Sequence, residues 1–352
     1  MKRKVAVGLS GGIDSSVAAF FLKEQGYEVT AFTLKFYPQE NRCCDSESIY
    51  QAQRLCHKLN IPHYIIPAEN LFKNKIVQYF IESYLKGLTP NPCTMCNRFI
   101  KFGFMHDEIN NLNVDYLATG HYARIIKKGD NFFIAKAKDA VKSQDYFLSL
   151  VEPPVLKCLV FPLAEFTKAE VKSFAGKNKI IFHKRKESQD ICFVEDMPYP
   201  AFIKGFIKEK AKYLGQIKHI RGAVLGEHKG IYNFTYGQRH GLGVSWKEPL
   251  YVVDIDSITN TVFAGERKYL KRKFFYVSLI NLFSSLKDRK HLKVQIRYNS
   301  PLFDCSIKQQ GDFCKVILDN EIEGVAPGQV AAFYHDDMIL AAGIIEKSDI
   351  RK

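Results

Sequence analysis

The chain has no apolar run approaching the ~18 residues that a membrane-spanning helix needs. The first predicted strand starts by Lys4 or Val5, which leaves no room for a targeting presequence, so the expected location is the cytoplasm and no membrane partner is expected. Acidic residues are in deficit: 37 Asp and Glu stand against 51 Lys and Arg, a formal charge of +14 without any basic tail. That balance disfavours an acidic binding surface and favours a polyanionic partner. The nine cysteines are an odd number in a large chain with no secretory features, which argues against a disulfide framework. Repeats and low-complexity tracts are absent as well.

What is present is α/β patterning over the first half of 352 residues. KVAVGLS reads as a buried strand and SSVAAFFLKEQG as a helix closed by Gly26. EVTAFTLKFY is a second strand, and Ile49, Ala52, Leu55, Cys56 and Leu59 then recur at helical spacing before the strand HYIIPA. A helical stretch from about Phe72 to Lys86 precedes TPNPCTMCN, and a fourth strand, DYLATG, ends at Gly120. Thr167 with Glu170 makes a capping box for a helix ending near Gly176. Strands separated by helices of this length predict a parallel sheet with helices on both faces. Beyond residue 200 glycine punctuates short β-rich pieces, and from about Lys271 strand alternation places Leu292, Val294, Ile296 and Tyr298 on one face. The expected domains are therefore 1–200, α/β and catalytic; 201–270, small and β-rich; and 271–352, a β-barrel.

Residues 8–16, GLSGGIDSS, sit at a predicted strand-to-helix corner. Backbone N–H groups at such a corner, together with the helix dipole, make an anion site. Gly11 and Gly12 let a ligand approach the backbone, and Ser10, Ser15 and Ser16 offer hydroxyl donors. The lysine of a Walker-type loop is missing. Asp14 would repel a bare phosphate, which points to a divalent cation there, most simply Mg²⁺. A tight turn in which Asp14 and Ser15 merely cap the helix is the alternative. SGGIDSS resembles the pyrophosphate-binding loop of the ATP pyrophosphatases, which implies a site for departing pyrophosphate rather than for γ-phosphoryl transfer.

Cys93 and Cys96 form a C-x-x-C pair behind the frame Pro90-Asn91-Pro92, which favours an extended lead-in to the thiols. Structural zinc needs a second close pair of ligands; Cys43-Cys44 is adjacent rather than spaced, so none is expected. Cys192 follows the basic run HKRK, a setting that favours thiolate, although ICFV also reads as a buried strand.

Taken in series, GLSGGIDSS, TPNPCTMCNRFIKF, ATGHYAR, SQDYFL, SQDICFV, TYGQRHGLG and VAPGQ resemble the bacterial tRNA-specific 2-thiouridylases almost end to end. The resemblance implies an adenine nucleotide α-hydrolase-like N-terminal domain, with catalytic positions at Cys96 (nucleophile), Cys192 (persulfide carrier) and Asp14. It implies ATP contacts at Gly8, Leu9, Ser10, Gly11, Gly12, Ile13, Asp14, Ser15, Leu34 and Gly120, with Mg²⁺ accompanying the nucleotide. It implies tRNA contacts at Asn91, Pro92, Cys93, His121, Lys142, Ser143, Gln144, Arg297, Tyr298 and Gln329. The family commonly reads KDQSYFL where this chain has KSQDYFL, so acid and hydroxyl have traded places around Gln144.

The activity so implied is ATP-dependent 2-thiolation of the wobble uridine of Lys, Glu and Gln tRNAs. Adenylation of the 2-carbonyl oxygen releases pyrophosphate. A cysteine persulfide, charged by a donor protein, then supplies sulfur, and a Cys96–Cys192 disulfide is the expected end point. Two other classes share parts of this pattern. One is an ATP-dependent ligase or amidotransferase on a small acceptor, which needs no paired thiols; the other is a zinc-stabilised RNA-binding protein without catalysis.

Overall fold

The computed structural model describes residues 2–36, 46–110, 112–183, 191–194, 197–207, 214–286 and 291–347. Cys43, Cys44, most of the HKRK run and Ser188–Asp190 lie outside the described residues. The chain divides into two compact units: Met1–Val77 with Cys93–Glu195 and Asp336–Ile339, and Gln78–Pro92 with Asp196–His335 and Leu340–Lys352.

The first unit is built on β1 (Lys4–Gly8), β2 (Glu28–Lys35), β3 (His63–Pro67), β4 (Tyr116–Ala118) and the short β7 (Leu159–Val160). These strands run parallel in the order β3-β2-β1-β4-β7. Val5, Ala6 and Val7 are fully buried, as a strand covered on both faces requires. The Ile13–Glu24 helix packs Val17, Ala18, Ala19 and Leu22 into the same core, and its last turn closes with the Tyr27 N–H donating to the Leu22 carbonyl. Phe20 and Phe21 pack on Phe174, and Phe21 stacks on Phe166 at 4.7 Å, which fixes the Lys168–Lys177 helix beside it. That helix starts with the expected Thr167–Glu170 capping box. A hairpin of β5 (Arg124–Lys128) and β6 (Asn131–Ala135) completes the unit and was not anticipated.

Because β2 and β3 lie on one side of β1 and β4 lies on the other, the chain reverses direction across the sheet at β1. A crevice opens beyond the carboxyl ends of β1 and β4 at that reversal. The loops leaving the two strands touch. A Cβ at Gly120 would lie 2.6 Å from the Asp14 carbonyl carbon and the Ser15 nitrogen, so only glycine fits.

The second unit contains a four-stranded sheet and a barrel. In the sheet, β8 (Gly215–His219), β9 (Val224–His228), β10 (Leu250–Asp256) and β11 (Thr261–Glu266) run in the order β10-β11-β8-β9 over a core of Ile217, Val252, Ile255, Val262 and Ala264. The barrel strands are β12 (Arg272–Leu282), β13 (Lys293–Gln295), β14 (Phe303–Gln310), β15 (Phe313–Ile322), β16 (Val330–His335) and β17 (Met338–Ile345). β12 pairs antiparallel with both β15 and β17, which closes six strands. Leu292, Val294 and Ile296 point into this barrel, although the strand carrying them is shorter than the alternation predicts.

Replacing Gly120 with Ala is expected to cost about 1–3 kcal/mol by overpacking. Gly176→Ala, in a helix with nothing within 4 Å of the new methyl, is expected to stabilise by about 0.4–1 kcal/mol. Urea unfolding of the two variants tests both signs against the wild type.

Candidate nucleotide and thiol site

The crevice holds a cavity of about 210 Å³. Its wall includes Gly8, Leu9, Ser10, Asp14 and Ser15 from the glycine loop, Leu34 from β2, and Gly120, His121 and Gln144. All nine were candidate site residues. Gly11, Gly12 and Ile13 do not line the cavity. Gly11 has φ +73°, and a Cβ there would meet the Ser48 carbonyl oxygen at 2.3 Å. Its own carbonyl accepts from the His183 N–H at 2.8 Å, so this glycine braces the loop from behind.

The expectation that Ser15 and Ser16 offer hydroxyl donors needs correction. Ser15 spends its hydroxyl inside the turn, donating to the Gly12 carbonyl at 3.1 Å and accepting from the Ser10 N–H at 3.2 Å. Ser16 is buried and offers no donor to a ligand. Asp14, in turn, is a paired carboxylate. Lys168 Nζ lies 2.6 and 2.8 Å from its two oxygens, and the Tyr122 hydroxyl donates to it at 2.8 Å. With no nucleotide present, Lys168 balances the Asp14 charge. Among the described residues, no group of three or more His, Cys, Asp or Glu side chains is arranged to hold a metal ion.

Phe32, Phe36, Lys101, Met105 and Thr119 also line the cavity. Alternation along EVTAFTLKF was a usable signal for part of this set, since Phe32, Leu34 and Phe36 share one face at period two. Lys101 and Met105 belong to a continuous helical run: Pro92–Cys96, a π-helical segment Asn97–Phe104, then Met105–Asn110. π turns recur at functional sites, and the change of period blurs an apolar pattern read at 3.6. Cys96 is buried at the end of the first of these segments, within a helix, after the non-helical Pro90-Asn91. Asn97 anchors the run by donating to the Phe147 carbonyl at 2.9 Å.

Cys192 is half-buried on a turn rather than in a strand. Its neighbour Phe193 packs edge-on against Phe72, and Phe72 stacks on the cavity residue Phe36. The structure carries Cys96 and Cys192 as thiols.

His121 accepts or donates at Thr119 Oγ1 over 2.7 Å, between the rings of Phe102 and Phe161. Burial, and secondarily the charge of Lys101, holds its pKa well below the ordinary value, so it is neutral at pH 7. Gln144 accepts from the Tyr122 N–H at 3.0 Å. Ser143 is buried, with its hydroxyl donating to Asp145 and accepting from the Ala137 N–H. This is how the exchanged acid and hydroxyl of KSQDYFL are used here. Lys142 is half-buried, its backbone N–H on Asp139.

In the second unit, Gln329 donates to the carbonyls of Thr89 and Pro90 at 2.9 and 3.2 Å, directly ahead of Asn91 and Pro92. Arg297 reaches the Tyr236 carbonyl at 3.5 Å, and Tyr298 is bonded through its carbonyl to Gln295.

Three family models match in series: a tRNA methyl transferase HUP domain over residues 3–196, a tRNA methyl transferase PRC-barrel domain over 200–266, and an aminomethyltransferase beta-barrel domain over 272–345. The tRNA-specific 2-thiouridylase MnmA of Aquifex aeolicus is 41% identical, with 98% of this chain and 99% of that protein covered. This chain belongs to the tRNA-specific 2-thiouridylase family. The Hydrogenobaculum thiouridylase is likewise 41% identical, over 97% of this chain and 99% of its own length. Among solved structures, the U34-tRNA thiolase NcsA from Methanococcus maripaludis aligns with a TM-score of 0.38 at 20% identity, covering 58% of this thiouridylase-family chain and 65% of its own.

Burial lowers the pKa of His63, His121 and His228 in the folded chain. Unfolding returns each to about 6.5. The unfolded chain therefore binds more protons as pH falls, and the contribution of these groups is complete above about pH 6.5 and lost below it. Urea midpoints are expected to drop between pH 7.5 and 5.5, and less steeply in His121→Asn; a flat or rising profile contradicts the burial of these rings.

Proposed function

We propose that this chain is an ATP-dependent tRNA sulfurtransferase that replaces the 2-carbonyl oxygen of the wobble uridine with sulfur. The single observation that supports it most is the cavity itself. A glycine loop of pyrophosphate-binding type, an apolar wall and one end of the Cys96 helical run meet in one crevice.

The residues fit ATP. Loop amides and the start of the Ile13–Glu24 helix suit the phosphates, and Phe32, Leu34, Phe36 and Met105 offer an apolar seat for adenine. Mg²⁺ accompanying the nucleotide would supply positive charge to the departing pyrophosphate, and Asp14, once released by Lys168, would be the loop carboxylate to hold it.

A uridine carbonyl is a poor electrophile with a poor leaving group. In the proposed reaction the uridine O2 attacks the α-phosphorus and pyrophosphate departs, so that the oxygen leaves later as part of AMP. The outer sulfur of a Cys192 persulfide, loaded by a donor protein, then takes its place at C2. Cys96 thiolate attacks Cys192 Sγ, either on the sulfur-bridged adduct or beforehand to liberate hydrosulfide, and a Cys96–Cys192 disulfide forms. An external dithiol, or two thiols in succession, returns both cysteines to the reduced state, supplying two electrons and leaving as a disulfide. Asn91, Pro92, Cys93, His121, Lys142, Ser143, Gln144, Arg297, Tyr298 and Gln329 are the proposed tRNA contacts, and Lys, Glu and Gln acceptors the proposed substrates. His121, being neutral, can hydrogen-bond a base without adding charge. The excess of 14 positive charges supplies the long-range attraction.

Protein, ATP, Mg²⁺, unmodified tRNA and a sulfide source are expected to yield 2-thiouridine and pyrophosphate by mass spectrometry. ADP and orthophosphate with unmodified uridine would sink the proposal. Cys96→Ser and Cys192→Ser are each expected to abolish thiolation, with pyrophosphate release persisting in at least one; full thiolation in either removes that thiol from the scheme. Affinity for tRNA is expected to fall by ~10³-fold or more between 50 and 200 mM salt, as measured by filter binding.

A further inference from the structure

The glycine loop has no lysine in sequence, yet an ammonium group stands beside it. Lys168, 154 residues beyond Asp14, puts Nζ against both carboxylate oxygens of that residue with its side chain only 11% exposed. Everything behind that ammonium is fixed. The capping box holds the first turn of the Lys168–Lys177 helix, the Lys168 N–H donates to Asp139 at 2.9 Å, and Phe166 and Phe174 lock the helix to Phe20 and Phe21. Tyr122 lies under the pair, its ring 5.9 Å from Nζ and its hydroxyl on Asp14. The pair thus occupies the start of the Ile13–Glu24 helix, where the dipole and loop amides favour an incoming anion.

We propose that Lys168 is the phosphate-binding lysine of this loop, stored on Asp14 until the β- and γ-phosphates of ATP arrive. Resting on the ATP reading above, the assignment makes Lys168 a catalytic residue for adenylation. Its ammonium passes from one anion to another of higher charge, and Asp14 is then released toward the cation that accompanies the nucleotide. A lysine is suited to this exchange, because three donors on a compact charge can bridge both partners during the transfer.

Titration calorimetry with inorganic pyrophosphate and, separately, with AMP, both without metal, tests the exchange. Lys168→Met is expected to weaken pyrophosphate at least tenfold and leave AMP within twofold, while Lys168→Arg keeps pyrophosphate within threefold. Asp14→Asn removes the competitor, so pyrophosphate is expected to bind at least threefold tighter, a gain that Asp14→Asn with Lys168→Met abolishes. A purely structural ion pair gives no such gain. Adenylation by Lys168→Met is expected to fall about 10²–10³-fold in kcat. Lys138→Met, which removes a neighbouring cation paired to Glu170 on the same helix, is expected to match the wild type in all of these measurements. Unchanged pyrophosphate affinity in Lys168→Met, or no gain in Asp14→Asn, overturns the assignment. A wild-type chain that binds neither pyrophosphate nor AMP overturns the ATP reading beneath it.

Discussion

The close backbone approach of two loops at the ends of β1 and β4 governs the first unit. Gly120 brings the second loop against the Asp14–Ser15 peptide, where a single methyl group would collide. That contact follows from the sheet order: adjacent parallel strands whose connections leave in opposite directions must part at their carboxyl ends. The loop from one strand supplies amides and the start of a helix. The loop from the other supplies Thr119, His121 and, through its bond to Tyr122, Gln144. The cavity is the space left between two backbones held at a fixed separation.

Charge inside that space is distributed with economy. His121 is kept neutral, Asp14 is paired, and Lys101 contributes a cation along the wall. A site meant for a small neutral molecule would have no use for a lysine reserved at a helix N-terminus. A site for a triphosphate does, since each charge added by the ligand must be met within a low-dielectric crevice or be driven back to water. The proposed exchange of partners by Lys168 would meet one such charge, and in the resting state it keeps the half-buried Asp14 carboxylate paired.

Much of this was legible in sequence. The buried run Val5-Ala6-Val7, the alternation of β2 and the Thr167–Glu170 box each produce the element their chemistry predicts. The resemblance of the glycine loop and of the ATGHYAR segment pointed to residues that converge on the cavity. Lys168 was not legible, because its neighbour Asp14 is distant along the chain and nothing in FTKAEVK distinguishes a capped surface helix from one abutting a loop. Ser16 was misread for a related reason: one step further round the first turn of the helix, its side chain is buried. The helical run carrying Cys96 was half legible. Its proline frame set the non-helical lead-in, but the π turn after Asn97 shifts the apolar period and so hid Lys101 and Met105 as cavity residues.

The two thiols of the proposed reaction each sit directly before an anchoring residue. The packing contact beside Cys192 belongs to Phe193, which is buried against Phe72, while Cys192 stays half-buried on its turn. Beside Cys96 the anchoring contact belongs to Asn97, whose amide holds the Phe147 carbonyl. In both places a neighbouring residue makes an anchoring contact beside the cysteine. In the proposed reaction a sulfur gains an atom, loses it and changes partner, and each step alters its volume and charge, so a contact that fixes the chain next to the thiol keeps the element in place while the sulfur changes. On both elements the anchor is residue i+1, so the proposed chemistry at residue i does not have to supply that contact as well.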